Sequence, residues 1–440
     1  MFDSFNFLAA GSFNLLSFIV ALSIIVFIHE FGHYIVGRWC GIKAEVFSIG
    51  FGPVIFSTTD KHGTQWQVAL LPLGGFVKFL KENESSKIVK SSKNHGINND
   101  NTFDGASLLS RSLTVLAGPV ANFILSFCIL ISFIIINGVP AQQVVIDKVF
   151  DYPFMDQKLL SGDRIVSLDG LETPTAASFY DLAGKYKFEK NVDYLIERDG
   201  TIKEITGPHP FPAIVSSVAL QSAAFEAGLK SGDLILSANA NDIFNFTQLQ
   251  KIVKETSEYP INLEVWRENH VFNILVTPRI IDYPIKGGGF VKRKLIGITS
   301  GTFFEIQRVK INLFEASKFS VQQILSIILS SLDGIKNILI GAISTCNLQG
   351  PIGIASTAGD AAQQGIGTFL RIIAVLSTAI GMLNLFPIPM LDGGHLVFYS
   401  FEAVTKKPPS EKIMKTMTLI GIFILLSLMI VAISSDLFCP

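Results

Sequence analysis

Four stretches of this 440-residue chain are apolar for long enough to cross a bilayer, which takes about 20 residues per helix. They run from about Phe13 to Val36, Leu113 to Ile136, Phe369 to Val404 and Met417 to Ser434, and the third is interrupted. A backbone in lipid must satisfy its hydrogen bonds internally, so segments of this length predict membrane-spanning helices. The first is too long and too polar inside for a cleaved signal peptide, and no small-residue cleavage site follows its core. Charged residues make up 16% of the chain, against about 25% in ordinary soluble domains, which agrees with a membrane protein. A net charge of −1 gives no electrostatic footprint for nucleic acid. The four cysteines, Cys40, Cys128, Cys346 and Cys439, form no CxxC pair and no recognisable disulfide framework.

Charge bias predicts the orientation. Arg38, Lys43, Lys61, Lys78, Lys81, Lys87, Lys90, Lys93 and Arg111 lie between the first two spans, and Lys406, Lys407, Lys412 and Lys415 between the last two. The tails outside the spans carry no Lys or Arg. Basic short loops stay in the cytoplasm, so both termini and the long segment from about Asn137 to Thr368 are expected outside it.

Residues 44–79 mix β-branched and aromatic residues with Gly and Asp-Lys-His-Gly turn signals, which predicts a β-hairpin or small sheet. It carries too little charge for a soluble sheet, so it is expected to dip into the membrane interface. Residues 81–101, rich in Lys, Asn and Ser, are expected to form a flexible loop. The long segment contains a repeat. "LLSGDRIVSLDG" (Leu159 to Gly170) matches "LKSGDLILSANA" (Leu229 to Ala240), with the Ser-Gly-Asp triplets 70 residues apart. Such a period, outside the solenoid classes, predicts two similar small domains. The stretch "SAAFEAGLKSGDLILSANA" resembles the PDZ domains of bacterial envelope proteases, which bind peptide termini by adding a strand to a sheet edge. The first copy lacks the Ala-Gly-Leu and matches less well. Residues 305–345 carry apolar positions at helical spacing and are expected to form amphipathic helices near the outer surface.

The first span reads "FIHEFGHYIV". Ionisable residues within a bilayer are costly and mark function. His29 and His33 are four apart and share a helix face, so the two imidazoles can bind one Zn²⁺ with Glu30 beside them as general base. A catalytic zinc needs a third protein ligand and an open position. "NLFPIPMLDGGH", residues 384–395, offers Asp392. Pro387 and Pro389 remove backbone donors there, and Gly393 and Gly394 loosen the helix after it. Irregular backbone at membrane depth is tolerated where it lines a cavity. Asn384 can offer its amide to a substrate carbonyl or oxyanion. His29 lies nine residues before Arg38, roughly 13 Å along a helix. Gly118, Pro119 and Asn122 lie about 10 to 16 Å beyond Arg111 by the same rise. The polar clusters thus share one depth, a little inside the cytoplasmic face.

HEFGH (29–33), AGPVANF (117–123), NLFPIPMLDGGH and the two PDZ-like modules together resemble the site-2 protease family, over almost the whole chain and in the expected order. The resemblance implies an α-helical multi-pass protein of the bacterial inner membrane. It would have four transmembrane helices, a membrane-associated β-hairpin with a Gly-Phe-Gly element at Gly50 to Gly52, and two extracytoplasmic PDZ-like αβ domains. The implied division is a first helix at 1–38, a cytoplasmic loop at 39–110, a second helix at 111–139, PDZ-like domains at 140–209 and 210–290, an amphipathic helical linker at 291–366, a third segment at 367–404 and a fourth helix at 415–436. The implied activity is zinc-dependent cleavage of the transmembrane segment of single-span proteins, of anti-sigma-factor or remnant-signal-peptide type, after a first protease has trimmed them. His29, His33 and Asp392 would be ligands and Glu30 the catalytic acid/base. Asn384, Pro387, Pro389 and Asn122 would support substrate or transition state, and His395 would stand behind the ligands. The expected partners are single-span substrates, peptide termini at the PDZ-like modules and membrane lipid, with no nucleic acid. The competing reading is a PDZ-bearing receptor or scaffold with a structural metal. A metal transporter would show inverted repeats of spans, and the four spans are dissimilar.

Overall fold

The computed structural model describes residues 2–80, 101–153, 155, 157–182, 190–256, 260–284 and 290–438. The Lys-, Asn- and Ser-rich stretch at 81–100 lies outside the described residues. Among the described residues, four helices are long and apolar enough to cross a membrane, with candidate spans at Ser12–Trp39, Leu108–Asn137, Ile366–Asn384 and Glu411–Phe438. The chain divides into two compact units, Met1–Ser132 with Ser317–Pro440, and Phe133–Ala316.

The first unit is built on α1 (Phe2–Trp39) and α2 (Leu108–Asn137). It continues through α5 (Leu313–Leu339), α6 (Pro351–Gln363), α7 (Ile366–Asn384), α8 (Asp392–Thr405) and α9 (Glu411–Phe438). Ala21 and Ile25 of α1 are buried with Ala358 of α6 and Phe369 and Ile373 of α7. Small residues let α1 and α2 touch: a Cβ on Gly32 would lie 2.4 Å from the Ala117 carbonyl oxygen. Polar ties add direction, since an unpaired hydroxyl between helices is costly. Ser126 Oγ donates to the Ala374 carbonyl and Ser377 Oγ to the Asn122 carbonyl. Arg111 of α2 pairs with Glu402 of α8 at 2.7 Å and lies over the Tyr399 ring. The turn at 385–391 separates α7 from α8, as the two prolines predict. Cys40 and Cys128 are free, whereas Cys346 is disulfide-bonded, which its isolated position in the sequence does not announce.

The expected sheet is present as β1 (Ala44–Thr59) and β2 (Gln65–Phe79). Both strands bend. Residues 46–49 lie between 65–68 and 75–78, while 54–59 pair with 65–69. Gly50 sits at the bend with φ +90°, and a Cβ there would meet the Leu71 carbonyl oxygen at 2.8 Å, so the position demands glycine. Asp60 closes the hairpin and fastens it to α1. Its carboxylate accepts from Tyr34 Oη (3.0 Å), Trp66 Nε1 (3.1 Å) and the backbone N–H groups of His62 and Thr64. Phe47 stacks on Trp66, and both meet Tyr34 edge-on.

Burial alone would raise the Asp60 pKa, but the hydrogen bonds prevail and hold it at about 2. An unfolded Asp titrates near 3.9. The folded carboxylate is the stronger acid, so its contribution is complete above about pH 4 and is lost as pH falls toward 2. The melting temperature of wild type is expected to fall further between pH 5 and pH 2 than that of Asp60→Asn. Equal falls would show that the hairpin clasp contributes nothing.

The second unit contains two modules of one topology. In the first, β3 (Arg164–Leu168), β4 (Leu171–Glu172), β5 (Asn191–Arg198) and β6 (Thr201–Pro208) pair in the order β4-β3-β5-β6, with α3 (Ala176–Leu182). In the second, β7 (Leu234–Ala238), β8 (Asn241–Asp242), β9 (Ile261–Arg267) and β10 (His270–Val276) pair as β8-β7-β9-β10, with α4 (Phe246–Glu255). The repeated Ser-Gly-Asp now has a physical reason. Asp163 and Asp233 are almost wholly buried. Each is held by a two-pronged arginine from the end of the neighbouring strand, Arg198 and Arg267, at 2.6–2.7 Å. Each also caps its own turn by accepting from the Leu160 or Lys230 backbone. A buried carboxylate without such partners would be strongly destabilising.

Two corrections follow. Residues 291–366 are not a helical linker throughout. Phe290–Leu295 pairs with Arg279–Pro284, Ile298–Ser300 with Val215–Val218, Phe304–Ile306 with Ile146–Val149, and Arg308–Val309 with Val139–Pro140. Phe303 and Phe304 are fully buried in the first module's core, so apolar burial claims this stretch for the modules. The helix expected over 305–345 is a single one, α5. Its Ile324 packs with Leu130 and Ala374.

Candidate active site

His29 and His33 face the same side of α1, and the 385–391 turn delivers Asp392 as the first residue of α8, where the helix dipole favours a carboxylate. His29 Nε2 and His33 Nε2 are 3.2 Å apart, and Asp392 Oδ2 lies 3.2 Å from the first and 3.5 Å from the second. Room for the rings comes from Gly118 of α2, where a Cβ would lie 2.3 Å from His33 Nε2 and 2.9 Å from His29 Cε1. Among the described residues these three form the one group of His, Cys, Asp or Glu placed to share an ion.

The chemistry of the donors fits a cation. His33 Nδ1 is 2.8 Å from the Thr114 carbonyl oxygen, which can only accept, so Nδ1 carries the proton and Nε2 of the neutral ring presents a lone pair. Asp392 Oδ2 is buried without a hydrogen-bond donor. Lone pairs converging in a low dielectric require a positive charge between them. Zinc at about 2.0–2.2 Å from tetrahedral ligands separates them by roughly 3.3–3.6 Å, close to the 3.2–3.5 Å of this trio.

Beside the trio is a cavity of about 410 Å³. Its lining includes Glu30, Asn384 and His395, together with Phe76 and Val77 of β2 and Tyr399 of α8. Glu30, next to His29 in sequence, thus faces the same space as the trio. Asn122, Pro387 and Pro389 do not line the cavity. Asn122 is fully buried behind His29, its Nδ2 3.3 Å from His29 Nδ1. The two prolines shape the turn that presents Asp392. Sequence reasoning placed a strand edge near Gly50 to Gly75 beside the substrate but missed the Thr114 carbonyl, Phe76, Val77 and Tyr399. Gly118, Pro119 and Asn122 of AGPVANF, at the depth of the histidines, were the signal that α2 approaches them.

The family model of peptidase family M50 matches residues 17–428. The chain belongs to peptidase family M50. The regulator of sigma-E protease RseP of Escherichia coli K12 is 30% identical, over 96% of this chain and 98% of its own length. The regulator of sigma E protease of Haemophilus influenzae is 32% identical, over 96% and 97%. A Vibrio cholerae relative, also 32% identical over 96% and 98%, carries a zinc-metalloprotease name. This M50 protein is a zinc metalloprotease with helices long and apolar enough to cross a membrane. That decides for an enzyme over a scaffold with a structural metal.

Proposed function

We propose that this protease cuts the transmembrane segment of single-span membrane proteins, with His29, His33 and Asp392 holding the zinc and Glu30 as general base. The observation that carries the reading is the convergence of three acceptor atoms beside Glu30, two of them on a helix of membrane-spanning length. When bound, zinc supplies Lewis acidity for the attacking water and the scissile carbonyl. Glu30 takes a proton from that water and passes it to the leaving amide nitrogen. Asn384, on the cavity wall, donates its amide to the carbonyl oxygen as charge develops there. A substrate helix hides its peptide bonds in its own hydrogen bonds and must unwind first. Residues 75–79 form an outer segment of the sheet, and Phe76 and Val77 reach the cavity, so this edge is suited to pair with the unwound stretch.

The two modules of the second unit act as PDZ-like filters outside the cytoplasm. In the second, a groove of about 620 Å³ runs between α4 and residues 295–298, lined by Leu249, Val253, Leu295 and Ile298 with Lys254 and Lys292 nearby. Apolar walls with cations suit a peptide carboxyl terminus freed by an earlier cut. In a bacterial inner membrane, the basic short loops support an orientation with both chain termini and these modules outside the cytoplasm and the active site nearer the cytoplasmic face. The cytoplasmic part of an anti-sigma-type substrate is then freed inward as a signal. Co-expression with a trimmed single-span substrate tagged on its cytoplasmic end tests this. The tag should enter the soluble cytoplasmic fraction; a tag that stays in the membrane contradicts it.

A further inference from the structure

We propose that Asn122 is a positioning residue for the metal ligand His29, not a group that meets substrate. The inference rests on the zinc reading above and deepens it. Asn122 has no exposed surface, lies outside the cavity lining, and approaches one atom of the site, His29 Nδ1, at 3.3 Å. Its backbone is pinned, because Ser126 Oγ and Ser377 Oγ both donate to the Asn122 carbonyl, at 3.1 and 2.9 Å. The Asn122 backbone is thus fixed between α2 and α7, with the side chain enclosed beside His29.

The direction of the contact follows from the ligand chemistry. His29 Nε2 points at His33 Nε2 and Asp392 Oδ2, so for binding zinc it must be bare, and the single proton of the neutral ring resides on Nδ1. That N–H needs an acceptor. The nitrogen and oxygen of a carboxamide exchange places by a half-turn of the amide, and Asn122 Oδ1 is at present buried with no partner. No donor reaches the far end of the amide, so the oxygen gains nothing there, the His29 contact decides, and Oδ1 faces Nδ1. Helix α2 then supplies both imidazole supports: the Thr114 carbonyl for His33 and the Asn122 side-chain carbonyl for His29. Such outer supports fix tautomer and ring orientation, and their loss typically lowers metal affinity about 10–100-fold.

Zinc competition against a chromophoric chelator, on the purified full-length protein in detergent, tests this. Asn122→Leu, which keeps the volume without the acceptor, should bind zinc about 10–100-fold more weakly. Asn122→Asp, an acceptor that cannot donate, should bind at least as tightly as wild type. Wild-type affinity in Asn122→Leu, or an equal loss in both variants, overturns the inference while leaving the zinc site intact. Wild type that binds no zinc overturns the site reading itself. Nitrogen-15 NMR of histidine-labelled, zinc-loaded wild type needs no variant to fold. A protonated, hydrogen-bonded Nδ1 on His29 is expected, and a bare Nδ1 refutes the assignment.

Discussion

Glu30→Gln should abolish proteolysis and leave zinc bound. The amide has the shape of the carboxylate and keeps a polar group in the cavity, so the fold of α1 is undisturbed. What it loses is the ability to accept a proton from water and return it to the leaving nitrogen. General acid–base groups contribute typically about 10²–10⁴-fold, and in the proposed role Glu30 serves in both proton transfers, so the loss belongs at the upper end. Glu30 adjoins the trio in sequence and lines the same cavity but is not one of the three converging donors. Metal content should therefore remain at the wild-type level. Elemental analysis beside a cleavage assay separates the two properties. Retained cleavage would remove Glu30 from the mechanism, and loss of zinc would make it a ligand.

Asp392→Ala should lose both. Two imidazoles without the carboxylate leave an incomplete set, since catalytic zinc sites keep three protein ligands. Loss of a ligand should cost at least the roughly tenfold affinity that a missing outer support costs. The structural cost is small. Asp392 opens α8, and a favourable first-turn charge contributes only about 0.3–1 kcal/mol there, while Gly393 and Gly394 stay packed against the 385–389 turn. A variant that folds, carries little zinc and does not cleave is expected. Full zinc occupancy with activity intact would exclude Asp392 from the site.

The spans and the two histidines could be read from the sequence because both are local signals. A run of apolar residues has a length, and His29 and His33 have a helical spacing. Asp392 was legible as a carboxylate in an apolar stretch broken by prolines. The Thr114 support was not, because any residue has a carbonyl and only the approach of α2 selects this one. Phe76 and Val77 look like ordinary strand residues until Asp60, Tyr34 and Trp66 fasten the hairpin to α1. The stretch after residue 290 was misassigned for a related reason. Strands 298–300 and 304–306 are three residues each, too short for a periodic signal, and their partners lie at 215–218 and 146–149. Asn122 was legible as a polar residue at the right depth, whereas its place behind His29 depends on the packing of α1, α2 and α7.

The most direct test of the account is to locate the cut. Purified wild-type protein in lipid vesicles should be incubated with a single-span substrate lacking its outer domain, and the products weighed by mass spectrometry. The expected result is one scissile bond inside the apolar segment, on the cytoplasmic half, with cleavage stopped by a zinc chelator and restored by zinc. Cleavage confined to the soluble flanks, or indifferent to the chelator, would contradict the account.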